Sequence, residues 1–393
     1  MTAADPVQAQ LGQWQRWALL AGIAGVLLAI VGILLNGWTQ FLRSYLYAYL
    51  FWTGMGLGCM GILLLHHTVG GKWGMMIRRM CEAGARMVAP MIILIIPVLV
   101  SLPALYSWDR PEAAQDPIIQ GKHAYLNAPF LIGRAIFYFA VWGFYAWRLS
   151  KWSREQDQTG DASLIDKMRA VSAPGLVVFV FVSTFAFFDW IMSLEPHWFS
   201  TIYGVMFLIG QVLESFAFTI ALVILLSARE PFRRYLTKQH LHDLGNLMFA
   251  FMVLWAYLSF SQFLIIWAGN LPDENPWYLR RFRGGWGWVA LALVIFHFAT
   301  PFVLLLMRGI KRNAQRLLAV CCMMLVIRIV DVYWIVEPAF YNQTLVVHWL
   351  DFVMPVAVGG LWLAGFFWQL KSRPLLPLRD ERLQGAPHEM VAF

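Results

Sequence analysis

Long apolar segments alternate with short polar stretches along the whole chain. Ten apolar segments can be distinguished, and each is roughly 20 residues long or slightly longer. A helix of about 20 residues crosses about 30 Å of hydrocarbon, so each segment predicts one membrane-spanning helix. The predicted segments are residues 17–36, 45–66, 87–106, 129–147, 171–192, 203–227, 247–268, 286–307, 317–336 and 350–370.

The composition supports this assignment. Apolar residues make up 60% of the 393 residues and charged residues only 13%, whereas soluble domains average about 25% charged residues. A soluble fold of this length could not bury so much apolar surface. A soluble enzyme, a disordered chain, collagen and a coiled coil are therefore excluded, and the long apolar runs favour helices over a barrel. We predict an all-α integral membrane protein with about ten transmembrane helices.

Basic residues fall mainly on one side of the predicted membrane. Of the 30 lysines and arginines, 22 lie in loops on the side that holds the N-terminus, six lie in the opposite loops, and Arg134 and Arg328 lie within spans. The positive-inside rule then places both termini in the cytoplasm and favours an even number of spans. Contact with anionic lipid explains the net charge of +8, so no nucleic-acid partner is expected.

The chain contains an internal repeat. The motif Asp-x5-Glu-Pro ends the fifth segment, at Asp189, and the ninth, at Asp331, and these aspartates are 142 residues apart. A weaker Tyr-Leu echo precedes the fourth and eighth segments, at residues 125–126 and 278–279. We predict two parallel four-helix bundles, residues 45–192 and 203–336, flanked by the first and tenth helices. Residues 1–393 would form one polytopic membrane domain with a cytoplasmic tail at 371–393.

Charged side chains within the predicted spans are costly in hydrocarbon, so they face protein or water and usually have a role. Two interpretations remain open: a polar pocket or proton path, or a buried salt-bridge network that joins the two bundles. The candidates for a proton path are Asp189, Glu214, Asp331, His297, Glu195, Glu337 and Asp351. The candidates for structural ion pairs are Arg328 with Asp331, three residues apart on one helix face, and Arg134.

Glu214 and His297 lie near the middle of their predicted spans. Glu214 has no cation in its own span and has Gln211 and Ser215 beside it, so we expect it to be protonated or close to water. A proton relay and a structural hydrogen bond are both open for Glu214. His297 is the weaker relay candidate, because a single intramembrane histidine is more often a hydrogen-bonded core residue.

The histidines and cysteines predict no metal cofactor. Haem b needs two histidines at the same depth on facing helices, and no such pair is evident among the predicted spans. The four cysteines form no CxxC pair, which argues against zinc and iron–sulfur sites. We therefore expect no haem, no metal and no covalently bound cofactor. Lipids are the expected ligands. Some of the many aromatic residues could line a quinone cleft, although the composition does not show one.

Three segments carry a resemblance to a known family. FFDWIMSLEPHWFSTIYG at residues 187–204, IGRAIFYFAVW at 132–142 and DVYWIVEPAF at 331–340, together with ten spans in two parallel bundles, resemble the polysulfide reductase NrfD-like family of membrane subunits. The first segment is similar to the F subunits of alternative complex III, a bacterial quinol:electron-acceptor oxidoreductase. The resemblance covers essentially all ten spans, and DWIMSLEPHW is its most specific stretch.

The resemblance implies a subunit of a respiratory or photosynthetic electron transfer complex in the bacterial cytoplasmic membrane. The implied partners are a sister NrfD-like membrane subunit that oxidises quinol, a periplasmic iron–sulfur subunit, multihaem cytochrome c subunits and small membrane-anchored subunits. An F-like subunit would supply a proton path or a structural role and no catalysis on its own. Whether it binds quinone or menaquinone stays open. Two other functions also stay open: a stand-alone secondary transporter built from parallel repeats and a purely architectural membrane anchor.

Overall fold

The structure, a computed structural model, describes residues 6–341 and 344–384. Nine helices in this part of the chain are long and apolar enough to span a membrane. Two further helices, Arg78–Arg86 and Met91–Leu99, meet at a bend of 42° and are together long and apolar enough for a tenth span; we call this bent pair α3. The predicted all-α membrane protein with about ten spans is confirmed. The other spans are α1 Pro6–Asn36, α2 Trp38–Val69, α4 Ala128–Thr159, α5 Ser163–Trp190, α6 Tyr203–Leu226, α7 Lys238–Gly269, α8 Trp286–Leu306, α9 Ala314–Val336 and α10 Leu350–Lys371.

Helix α3 differs most from its predicted segment. The apolar pattern predicts a span at residues 87–106, but the helix begins at Arg78, within a stretch that reads as a basic loop. Arg78 and Arg79 are buried because Glu82, one turn further on, pairs with both. The bend follows Arg86, close to Pro90, where the missing backbone N–H interrupts helical hydrogen bonding.

Contacts between the spans follow the internal repeat. In the first group, α2 and α4 each pack against α3 and α5. In the second group, α6 and α8 each pack against α7 and α9. The groups meet where α2 lies against α6. The contact of α5 with α6 has its counterpart in the contact of α9 with α2. Helices α2 and α6 therefore form the centre of the molecule.

Small residues allow the closest helix contacts. A Cβ added to Gly58 of α2 would collide with the backbone of Gln211 in α6. Helices α1 and α10 approach equally closely, since a Cβ at Gly25 would lie 2.6 Å from the Cα of Ala357, and one at Gly360 would overlap the backbone of Gly22. Close backbone approach at small residues is a common way to pack helices in lipid, where apolar side chains gain little by leaving their solvent.

The segment after α10 folds back over the first group of helices. Leu375, Leu376 and Leu383 are buried, and Arg379 donates a hydrogen bond to the carbonyl of Gln158 at the end of α4. We call the end of the molecule where α1 begins and α10 ends the basic end, because most arginines and lysines lie there. The opposite end is called the distal end.

Candidate functional site

A cluster of ionisable side chains lies inside the second group of helices. Arg328 and Asp331 of α9 form an ion pair, and Arg328 Nε lies 3.6 Å from Glu214 Oε2 of α6. All three side chains are buried. Glu214 lacks a cation in its own helix, as the sequence indicates, and the nearby cation comes from a different span. We call Gln211, Glu214, His297, Arg328 and Asp331 the buried polar cluster.

Gln211 and Gly210 of α6 position the arginine. With its amide oriented to suit its neighbours, Gln211 donates a hydrogen bond of 2.7 Å to Glu214 Oε2 and accepts one of 3.2 Å from Arg328 Nη2. A Cβ at Gly210 would lie 2.6 Å from Arg328 Cζ, so only glycine leaves room for the guanidinium group. Arg328 Nη2 also lies 3.3 Å from the carbonyl oxygen of Phe207 and donates to it.

His297 completes the cluster from α8. Its Nδ1 lies 3.7 Å from Asp331 Oδ2, and its ring centroid lies 3.9 Å from that of Trp255. Neither ring nitrogen has a hydrogen-bond partner within the described residues. The histidine lies in a π-helical turn, Val294–Ala299, a local widening of the helix that is frequent at functional sites.

An aromatic cleft leads from the lipid-facing surface to this cluster. It has a volume of about 690 Å³ and lies between α7, α8, α9 and the short helix Asn275–Phe282. Tyr257 and Phe260, at its outer side, are 64% and 61% exposed, while Arg328 and Asp331 line its inner end. Its other lining residues include Phe263, Trp277, Tyr278, Phe282, Phe298 and Trp334. A lipid-soluble molecule could therefore reach charged groups without crossing water.

The first group of helices holds its aspartate differently. Arg134 of α4 binds Asp189 of α5 through two hydrogen bonds, Nε to Oδ2 at 2.8 Å and Nη2 to Oδ1 at 2.9 Å. The Tyr138 hydroxyl donates a third to Oδ2 at 2.7 Å. The guanidinium group also stacks over the Tyr125 ring, 3.8 Å from its centroid. Asp189 is thus satisfied on both carboxylate oxygens by side chains of α4.

A smaller space in the first group is related to the aromatic cleft by the repeat. It has a volume of about 380 Å³, and Tyr125, Met192 and Ser193 are among its lining residues. The residues at the equivalent positions of the second repeat, Tyr278, Trp334 and Ile335, line the larger cleft. Asp189 does not line the smaller space. Only in the second group, therefore, does the space reach the repeated aspartate.

The two repeated glutamates also differ in their surroundings. Glu195 forms ion pairs with Arg280 Nη1 at 2.7 Å and Arg281 Nη2 at 2.9 Å. Because these arginines belong to the short helix before α8, Glu195 ties the end of α5 to the second group. Glu337 is buried, yet neither of its oxygens has a hydrogen-bond partner within residues 6–341 and 344–384.

Asp351 joins three spans at the distal end. It accepts hydrogen bonds from Ser44 of α2, from the Tyr333 hydroxyl of α9 at 3.0 Å and from the His348 amide at 2.8 Å. It lies in the first turn of α10, where a carboxylate is favourable because helix N-termini carry partial positive charge. This environment fits a structural role.

The structure therefore divides the proton-path candidates into separate groups. Glu214, Asp331 and His297 come together around Arg328. Asp189 is bound by Arg134 and Tyr138 instead, and it does not share the buried polar cluster. Glu195 lies beyond the end of α5, Glu337 lies just beyond the end of α9, and Asp351 lies at the start of α10.

A second charged cluster, at the basic end, was missed by the sequence analysis. Glu82 accepts hydrogen bonds from Arg78 at 3.1 Å, Arg79 at 2.7 Å and Arg373 at 3.2 Å. The spacing of Glu82 from the two preceding arginines, i to i+4 and i to i+3, was a visible signal of pairing on a helix. The apolar pattern placed these residues in a loop, which hid that signal.

Asp380 brings the C-terminal segment into this second cluster. Its carboxylate pairs with Arg78 Nη1 at 3.2 Å and Arg382 Nη2 at 2.7 Å. Burial by itself would raise the pKa of Asp380, but the hydrogen bonds from Arg382 and the charges of Arg382 and Arg78 outweigh it and lower that pKa. The carboxylate is therefore charged at neutral pH and holds the segment in place.

A comparison with models of known protein families finds no matching family, and a comparison with curated protein sequences finds no matching relative.

Proposed function

We propose that the chain is an integral membrane subunit of a quinol:electron-acceptor oxidoreductase of the alternative complex III type, and that its buried polar cluster exchanges protons. The resemblance of residues 187–204 to F subunits supports the type of complex. The observation that carries the proton role is the meeting of Glu214, Asp331 and His297 around one arginine, inside a helical membrane protein.

The chemistry of these groups suits proton exchange. Two carboxylates share the single charge of Arg328, so one proton on either carboxylate leaves the three groups electrically neutral. Neutrality is favourable because hydrocarbon does not solvate net charge. His297 has two ring nitrogens without described hydrogen-bond partners and can accept a proton at one nitrogen while releasing it from the other. Gln211 keeps Glu214 oriented, and bridging water would close the remaining gaps.

Proton release per electron tests the role of the cluster. The intact complex is reconstituted in liposomes with Glu214→Gln, Asp189→Asn or the exposed-loop control Asp273→Asn. We expect all three complexes to assemble and oxidise quinol. Quinol oxidation itself yields protons, and any further proton release is attributed to the cluster. Only Glu214→Gln should lower this further release, since Asp189 belongs to a different cluster. Unchanged proton release in Glu214→Gln, with assembly intact, would leave the cluster with a structural role and the chain as an architectural anchor.

Co-purification tests the type of complex separately. A tagged chain in its native membrane should bring down multihaem cytochromes c, an iron–sulfur protein and a second polytopic subunit. If the chain purifies alone and catalyses solute exchange in liposomes, the secondary transporter becomes the better assignment.

The aromatic cleft favours a second role, binding of a quinone or menaquinone. Its opening towards lipid and its charged inner end at Arg328 and Asp331 match a ligand with an apolar tail and a polar ring. A photoreactive quinone analogue should label peptides of α7 or α9, and Phe260→Ala should reduce the labelling. Labelling of the sister subunit alone would exclude this role.

A further inference from the structure

A groove at the basic end lies between the start of α1 and the loop after α6. Its volume is about 840 Å³, and Gln10, Gln13, Trp14, Arg16, Trp17 and Arg229 are among its lining residues. We propose that this groove binds an anionic glycerophospholipid of the phosphatidylglycerol type through its phosphate headgroup. This inference is independent of the function proposed above.

The charge of the groove favours an anion. Arg16 and Arg229 come from distant parts of the sequence and line the same space, and no acidic side chain is among the described residues, 6 onwards, that line it. Glu230 follows Arg229 in the sequence but does not line the groove. The described hydrogen bond of the Arg16 side chain goes to the carbonyl of Gly12, at 3.3 Å. Two guanidinium groups that face one space repel each other, and a bound phosphate between them would remove that repulsion.

Polar groups beside the arginines suit a hydroxylated headgroup. Gln10 Oε1 is buried and has no hydrogen-bond partner in the described structure, and an unpaired buried acceptor is costly. Gln10 lines the groove, and a rotation of its side chain would let a glycerol hydroxyl group of phosphatidylglycerol donate to this oxygen. Gln13 adds a further amide to the lining. A choline headgroup has no hydroxyl to donate, and its positive charge would be repelled by the arginines.

The groove also has the right depth and a path for acyl chains. Arg16 directly precedes the apolar run of α1, and Trp17 is 64% exposed, as is typical of tryptophan at the membrane interface. Leu20, Ile23 and Leu27 follow at helical spacing and are all exposed. An acyl chain attached to a headgroup in the groove would therefore run along this apolar face.

Native mass spectrometry of the full-length purified chain tests the proposal. The chain is titrated with phosphatidylglycerol and, separately, with phosphatidylcholine of the same acyl chains. We expect tighter binding of phosphatidylglycerol, and a loss of about fivefold for each of Arg16→Gln and Arg229→Gln, which corresponds to about one favourable surface charge. The variant that carries both Arg16→Lys and Arg229→Lys should keep the preference for phosphatidylglycerol over phosphatidylcholine. Arg169→Gln, an exposed arginine of α5 outside the groove, is the matched control and should bind like the unmodified chain.

Three results would overturn the proposal. Equal affinity for the two lipids would remove the anionic selectivity, and an equal loss in Arg169→Gln would show a general surface effect. Displacement of phosphatidylglycerol by millimolar inorganic phosphate would assign the groove to a free anion rather than to a lipid. Because both arginines are exposed, the Gln variants should keep the thermal stability of the unmodified chain, which is measured in parallel.

Discussion

Asp189 and Asp331 occupy equivalent positions of the repeat, yet the arginines that pair with them do not occupy equivalent positions. Arg134 reaches Asp189 from the neighbouring helix α4, whereas Arg328 reaches Asp331 from the same helix, one turn earlier. The second arrangement leaves the side of Asp331 that faces α7 and α8 open to the aromatic cleft. Both halves of the repeat thus contain an ion pair, but only the aspartate of the second half can be reached from a cleft.

Removal of Arg328 should destabilise the second group of helices. Arg328→Leu leaves Asp331 and Glu214 buried without their cation, and loss of one partner of a buried pair costs on the order of 3–5 kcal/mol. The double variant Arg328→Leu/Asp331→Asn should recover part of this loss. Thermal unfolding in detergent measures both, with Val326→Leu on the exposed face of α9 as control. A double variant less stable than either single variant would argue against the pair.

Tyr138→Phe should weaken the corresponding cluster of the first group. The substitution deletes the 2.7 Å hydrogen bond to Asp189 Oδ2 and keeps the ring. Hydrogen bonds to charged groups contribute about 1.5–3 kcal/mol, so we expect a stability loss of that size in chemical or thermal unfolding. Tyr257→Phe removes a hydroxyl from a mostly exposed residue and should have little effect. Equal stability of the two variants would contradict the assigned bond.

Gly360→Val should separate α1 from α10. The added side chain would overlap the backbone of Gly22, and overpacking typically costs about 1–3 kcal/mol. Gly143→Val on α4 is a suitable control, since a Cβ there meets nothing within 4 Å. Disulfide cross-linking between cysteines introduced on facing positions of α1 and α10 should fall in Gly360→Val alone. Undiminished cross-linking would show that the helices do not depend on this contact.

The position of the C-terminal segment should depend on pH through Asp380. Its pKa is lower in the folded protein than in an unfolded chain, so its stabilising effect is present above the ordinary aspartate pKa of about 3.9 and is lost as the pH falls through the folded value. A spin label on Leu378→Cys, in a Cys322→Ser background, should be immobile at pH 7. It should become mobile either in strong acid or, already at pH 7, in Asp380→Asn. A label equally immobile in Asp380→Asn would contradict the prediction.

Hydropathy predicted most of the spans because nine helices of the described structure each contain an apolar stretch long enough to cross a membrane, with few charged residues in it. It failed at α3, where Arg78 and Arg79 are buried in a helix by their pairing with Glu82. Net hydropathy counts such paired charges as polar, although their neighbours have neutralised them. A helix start of this kind is therefore outside what a hydropathy pattern can detect.

The candidate residues were visible in the sequence, and so was the pairing of Arg328 with Asp331 one helical turn apart, but the partners that come from other helices were not. A charged residue within a span signals that some partner exists. Which one it is depends on tertiary packing, as Arg134 with Asp189 and Arg328 with Glu214 show. The cleft between α7, α8 and α9 is likewise a product of packing and has no local pattern.

The pairing of α1 with α10 sets an order for biogenesis. Helix α1 leaves the ribosome long before α10, so it must wait in the bilayer without this partner while α2 to α9 are inserted. Its apolar window has the highest hydropathy of the spanning helices in the described chain, and little of it is buried within the protein. A helix of this composition is stable on its own in lipid. Helix α10 then packs against α1, so a nascent chain that stalls before α10 would leave α1 free in the membrane.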